Sequence, residues 1–215
     1  MSQESTVQHI ADFPIVPVFY NADAQTCLKV LDACYQGGIR AFEFTNRGAN
    51  AIDNFKILSE ALSDYDNYLL GAGTILKAKD AEAFIAAGAT FVVSPCYTAE
   101  VFDVCYQHKI PYMPGCMTVK EIYDAATAGC EVVKLFPGDV LGAKFVKGVK
   151  AVFPKQKMMV TGGVEPTKES LDSWFGAGVT AVGMGSQLFK KEWLDSSNYA
   201  AITAIAKACF DLLKK

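Results

Sequence analysis

Two charged residues stand where the chain pattern calls for buried, apolar strand. The first is Glu43 in the run Ala41-Phe42-Glu43-Phe44-Thr45-Asn46-Arg47. With the period-2 alternation of a strand, Phe42 and Phe44 face one way, and Ala41, Glu43, Thr45 and Arg47 face the other. The second is Lys134 in Val132-Val133-Lys134-Leu135-Phe136-Pro137, with apolar strand formers on both sides. An ammonium enclosed in this way is desolvated, which favours the neutral amine that can attack a carbonyl. Each residue alone has a structural explanation. Glu43 could be satisfied by an internal ion pair or a buried water, and Lys134 could snorkel past the end of its strand. Together, a nucleophilic amine and a carboxylate inside one fold are the minimum equipment for Schiff-base chemistry with proton transfer.

The elements that must position these two groups follow a regular rhythm. Strand-length apolar runs at Pro14–Phe19, Ala41–Thr45, Tyr68–Gly73, Phe91–Pro95, Tyr112–Gly115, Glu131–Phe136, Lys157–Thr161 and Ala181–Gly185 alternate with amphipathic stretches. Those helical stretches begin near Ala22, Ala49, Ala78, Ala99, Val119, Gly142, Thr167 and Leu188, and Asn198 to Lys215 reads as a further helix. Strands joined through helices run parallel, because a parallel crossover needs about a dozen residues. Eight such units in succession predict one (β/α)8 TIM barrel over residues 13–215, preceded by a polar N-terminal extension, 1–12. The competitor is an open, flavodoxin-like sheet.

A barrel places its active site at the C-terminal ends of the strands. Small and polar groups cluster at those ends: Thr74 after Gly71-Ala72-Gly73, Ser94-Pro95, and Thr161 before Gly162-Gly163. Gly162-Gly163 after the seventh strand and Gly183-Met184-Gly185-Ser186 after the eighth form a suggestive pair. The loops after those two strands recurrently bind phosphate in barrels, because glycine lets backbone N–H groups approach an anion closely. Gly183-x-Gly185 is poor as a dinucleotide signal, since no third glycine or further βα unit follows.

Composition narrows the classes. The 215 residues are 51% hydrophobic and 20% charged, with a formal net charge of -3 and no basic stripe, which argues against a nucleic-acid partner. No run approaches the roughly 20 apolar residues of a membrane span, and the N-terminus lacks a secretory pattern. Seven scattered cysteines, never as C-x-x-C, suit free thiols in a reducing, cytoplasmic setting. Only His9 and His108 are present, so a histidine-based metal site is not expected.

The motifs in order are Gly38-Ile39-Arg40-Ala41-Phe42-Glu43-Phe44-Thr45-Asn46-Arg47, Gly71-Ala72-Gly73-Thr74, Ser94-Pro95, Pro114-Gly115, Val133-Lys134-Leu135-Phe136-Pro137, Thr161-Gly162-Gly163 and Gly185-Ser186. In these the chain resembles the 2-keto-3-deoxy-6-phosphogluconate (KDPG) and 4-hydroxy-2-oxoglutarate (KHG) aldolases, from about Phe13 to the C-terminal helix. The resemblance implies a class I aldolase that joins or separates pyruvate and an aldehyde, glyceraldehyde 3-phosphate or glyoxylate. It implies Lys134 as the Schiff-base lysine and Glu43 as the general acid/base. Arg47 and Thr74 would hold the pyruvate carboxylate, Phe136 and Pro95 would pack beside the pyruvyl carbons, and Thr161 would contact the keto acid. Gly162, Gly163, Gly185 and Ser186 would receive the phosphate. No metal or cofactor is implied, and a homotrimer is.

The chain departs from the family's usual residues at Cys96, Cys116-Met117-Thr118, Gly138-Asp139 and Gln187. None of these touches the lysine or glutamate, but they leave the aldehyde-side specificity open. The alternatives are the galactonate epimer as substrate, a phosphate-binding barrel isomerase or synthase without an imine, and a sugar-phosphate binding protein without catalysis.

Overall fold

The computed structural model describes residues 2–214. Helix α1 (Gln3–Asp12) leads into β1 (Ile15–Phe19), α2 (Ala24–Gln36), β2 (Ala41–Thr45), α3 (Ala51–Ala61), β3 (Leu69–Gly73), α4 (Ala78–Ala86) and β4 (Phe91–Val93). The second half runs α5 (Ala99–His108), β5 (Tyr112–Met113), β6 (Gly115–Cys116), α6 (Val119–Ala128), β7 (Val132–Leu135), α7 (Gly138–Val152), β8 (Lys157–Thr161), α8 (Lys168–Ala177) and β9 (Ala181–Met184). Two helices, α9 (Lys191–Asp195) and α10 (Tyr199–Leu213), finish the chain.

All the strands pair in parallel, in the order β5-β4-β3-β2-β1-β9-β8-β7-β6. The two ends of that order, β5 and β6, are consecutive in the chain and separated only by Pro114. They are halves of one barrel strand. The first half pairs with β4 and the second with β7. The Gly115 N–H donates to the Ser94 carbonyl at 2.9 Å, and the Lys134 N–H donates to the Pro114 carbonyl at 2.8 Å. Proline supplies no N–H, which is why the predicted strand Tyr112–Gly115 divides there.

The sheet is therefore the expected eight-stranded barrel, not an open one. Phe91–Pro95 is shortened to Phe91–Val93, and the helix expected from Gly142 starts at Gly138 with a break at Gly142 (φ 71°, ψ 164°). The helix expected near Leu188 starts at Lys191.

Two apolar layers hold the barrel. The outer one packs the strands' outward residues, such as Phe42, Phe44, Val133 and Leu135, against the helices. The inner one fills the barrel with Val16, Ala41, Leu69, Phe91, Val93, Met113, Val132, Met159 and Ala181. Val7 and Ile10 of α1 belong to this inner cluster. The segment 1–12, set apart in the sequence as a polar extension, thus contains a helix whose Val7 and Ile10 are buried with the inward-facing strand residues. Their i, i+3 spacing puts both on one face, a signal too short to stand out amid polar neighbours. Met1 lies outside the described residues.

Six of the cysteines are buried, and Cys96 alone is exposed. Burial raises the thiol of Cys27 to about 11, Cys105, Cys116 and Cys130 to about 12, and Cys209 to about 11. At pH 8 the folded protein should react with one equivalent of a thiol reagent, at Cys96, against seven after unfolding; two or more fast thiols would contradict the packing. A folded-state value raised above the unfolded one leaves stability intact below about pH 9 and erodes it as pH climbs toward 11–12. Urea midpoints across pH 8 to 11 should show that fall.

Candidate active site

Ala41 and Val132 point into the barrel, so Glu43 and Lys134, each two residues further along, do so as well. Both are buried, Glu43 at 1% exposure and Lys134 at 6%. They come from non-adjacent strands, β2 and β7, and meet across the barrel interior with Lys134 Nζ 3.8 Å from Glu43 Oε1. That is ion-pair distance but beyond a hydrogen bond. Among the described residues neither carboxylate oxygen has a hydrogen-bond partner. A buried carboxylate left in that condition costs free energy until a donor reaches it. The Phe136 ring, 5.1 Å from Nζ, forms a wall beside the amine.

Glycine makes the space for the carboxylate. A Cβ at Gly73 would fall on Glu43 Oε1 and stand 2.7 Å from Cγ. The Phe91 ring occupies the room a side chain at Gly71, the register partner of Glu43, would need. In the sequence Gly73 stands out only within Gly71-Ala72-Gly73-Thr74. Its role could have been read from its place at the end of β3, the strand beside β2.

The next residue, Thr74, has φ 61°, a left-handed conformation that a β-branched residue adopts at a cost of about 1–3 kcal/mol. The turn is held from both sides. The Ile75 N–H donates to the Val93 carbonyl at 3.2 Å, and the buried Ser94 hydroxyl donates to the Ile75 carbonyl. Strain maintained by a buried clamp at the rim of a site points to a positioned group, here the Thr74 side chain and its peptide.

A cleft of about 320 Å³ opens at the ends of β1, β2, β8 and β9. Arg47, Thr161, Gly162, Gly163, Gly185 and Ser186 line it, as does Val18, which pairs in register with Glu43 on the neighbouring strand. The buried Thr161 hydroxyl has no partner among the described residues and packs where a Gly183 side chain would be. Gly162 (φ 99°) and Gly163 (φ 68°) are both left-handed, so their loop turns in a way that other residues resist.

The structure thus gathers six of the eleven predicted site residues around the cleft and two in the reactive pair. Phe136 stands beside the amine. Thr74 and Pro95 follow β3 and β4 and do not line the cleft.

A closed barrel with a buried amine and carboxylate facing each other beside a glycine-walled, arginine-bearing cleft is the layout of a barrel aldolase. The chain belongs to the KDPG and KHG aldolase family, whose model matches residues 7–205, and it is a carbon–carbon lyase of that kind. It is 31% identical over 195 residues to the 2-dehydro-3-deoxy-phosphogluconate aldolase of Pseudoalteromonas atlantica, covering 90% of this chain and 88% of that one. It is 29% identical over 178 residues to the 2-dehydro-3-deoxy-6-phosphogalactonate aldolase of Escherichia coli, covering 82% and 85%. Among solved structures, the KDPG aldolase of Legionella pneumophila, with pyruvate captured as a covalent carbinolamine, superposes with a TM-score of 0.84 at 29% identity, over 94% of this chain and 97% of that one.

Proposed function

We propose that the chain cleaves a 2-keto-3-deoxy-6-phospho sugar acid to pyruvate and glyceraldehyde 3-phosphate through a Schiff base on Lys134, with Glu43 moving the protons. The observation that carries this reading is the 3.8 Å approach of Lys134 Nζ to Glu43 Oε1 in the barrel interior. Neutral Lys134 adds to the C2 carbonyl of the keto acid to give a carbinolamine, which loses water to an iminium. That cation accepts the electron pair of the C3–C4 bond as the C4 hydroxyl gives up its proton, releasing the aldehyde and leaving an enamine. Glu43, directly or through one water, handles the proton that leaves the hydroxyl and the one that returns to the pyruvyl methyl carbon. Water then hydrolyses the iminium and frees pyruvate.

Arg47 and Thr74 hold the keto-acid carboxylate, a geometry that suits a planar guanidinium fork. Phe136 and Pro95 border the pyruvyl carbons, and Thr161 meets the bound chain. Gly162, Gly163, Gly185 and Ser186 receive the phosphate at the far end of the cleft. Glyoxylate is the shorter aldehyde the same pair would accept.

Similarity to the Escherichia coli phosphogalactonate aldolase supports the galactonate epimer as a second reading of the same chemistry. Steady-state rates on gluconate- and galactonate-derived 2-keto-3-deoxy acids, each with and without the 6-phosphate, separate the two. We expect kcat/KM to fall about 10²-fold or more when the phosphate is absent, since its binding energy orients the reacting carbon. Equal rates on phosphorylated and unphosphorylated acids would remove the phosphate assignment.

The family's trimer and a cytoplasmic setting belong to this proposal as well. Half-exposed Val119 and Tyr123, one turn apart on α6, with Met117 nearby in sequence, give an apolar surface suited to subunit contact.

A further inference from the structure

We infer that Tyr20 is a positioning residue that sets the Arg47 loop by filling the space left by Gly48; this rests on the proposed role of Arg47 at the substrate carboxylate. Arg47 is exposed at the cleft and makes no side-chain hydrogen bond or ion pair among the described residues. Something other than its own contacts must fix where its guanidinium starts. Its loop leaves β2 immediately after Thr45, with the Asn46 N–H donating to the Gly73 carbonyl at 2.8 Å. One residue beyond Arg47, a Cβ at Gly48 would fall on the Tyr20 hydroxyl and lie 2.5 Å from Cζ. Gly48 is absent from the glycines with positive φ. The missing side chain there serves closeness of approach, not an unusual backbone conformation.

Tyr20 is a firm stop because the segment that carries it is tied down. Its ring lies 5.7 Å from that of buried Phe44. The Thr45 hydroxyl donates to the Phe19 carbonyl at 3.3 Å. Buried Asn54 of α3 donates to the carbonyls of both Asn21 and Ala22, each at 3.0 Å. The loops after β1 and β2 are thereby locked together, and Tyr20 transmits that lock to the residue that follows Arg47. A small displacement at Gly48 becomes a displacement of the guanidinium, and a bidentate contact tolerates little misplacement.

The experiment uses pyruvate alone, so that it does not depend on which sugar acid is natural. Exchange of the pyruvate methyl protons with deuterium gives a half-saturating concentration and a maximal rate for each variant. Gly48→Ala should raise the half-saturating concentration about tenfold while the maximal rate stays within about twofold, the signature of weakened carboxylate binding. Adding Tyr20→Leu to Gly48→Ala should restore part of that loss, because the shorter side chain vacates the space the new methyl takes. Arg47→Lys, run alongside, should also raise the half-saturating concentration. An unchanged Gly48→Ala beside an impaired Arg47→Lys overturns the positioning role alone. An unchanged Arg47→Lys overturns the carboxylate assignment and this inference with it. Loss of maximal rate in Gly48→Ala without recovery in the double variant marks a general structural defect and also overturns the inference.

Discussion

Lys134→Ala is expected to lower aldol cleavage by about 10⁴-fold or more and to abolish covalent capture of pyruvate. The Lys134 amine faces the carboxylate in the barrel interior, and among the described residues no other lysine is buried. Borohydride added with pyruvate reduces an iminium to a secondary amine that survives proteolysis. The parent protein should gain the mass of pyruvate less one oxygen atom on the peptide carrying Lys134, and lose activity in proportion. Removing the lysine also leaves Glu43 buried without its cation, which costs about 3–5 kcal/mol. Lys134→Arg keeps a cation near the carboxylate but has no nucleophilic amine, so it separates chemistry from folding. It should stay folded by thermal denaturation and still fail to be trapped. Stoichiometric trapping at another lysine, or full activity in Lys134→Arg, would refute the Schiff-base assignment.

Much of this site is legible in the sequence because a barrel strand has a strict code. Both faces of each strand are covered, so a charged residue two positions beyond Ala41 or Val132 must point inward with them. Glu43 and Lys134 declare themselves against that background. Their meeting across non-adjacent strands does not, because separation across a barrel depends on register and stagger, which periodicity leaves open. The clamp behind Thr74 is hidden for a similar reason. It needs Ser94 and Val93, nineteen and eighteen residues further along the chain, to meet Ile75. The role of Gly48 is legible only once Tyr20 is known to lie opposite, since glycine in a loop ordinarily signals a turn. The short helix α1 was likewise obscured. Val7 and Ile10, set in an otherwise largely polar decapeptide, carry too little pattern to reveal that they join the barrel's inner cluster.

Glu43→Gln carries the second large effect, and it should divide the reaction in two. The amide keeps the shape of the carboxylate but cannot accept a proton. Iminium formation on Lys134 should persist, so borohydride still traps pyruvate, whereas exchange of the methyl protons with deuterium should slow by about 10²- to 10⁴-fold. Gly73→Ala reaches the same carboxylate by a different route. Its new methyl would sit on Oε1 and press within 2.8 Å of Cδ, so the side chain must turn away from the amine while its charge is retained. If position is what the carboxylate supplies, Gly73→Ala should also lose exchange faster than it loses trapping. If only a nearby negative charge were needed, Gly73→Ala would keep its exchange rate while Glu43→Gln lost it. Undiminished exchange in Glu43→Gln would move the proton-transfer role to another group, for which the buried Thr161 hydroxyl, without a partner among the described residues, is a candidate lining the cleft.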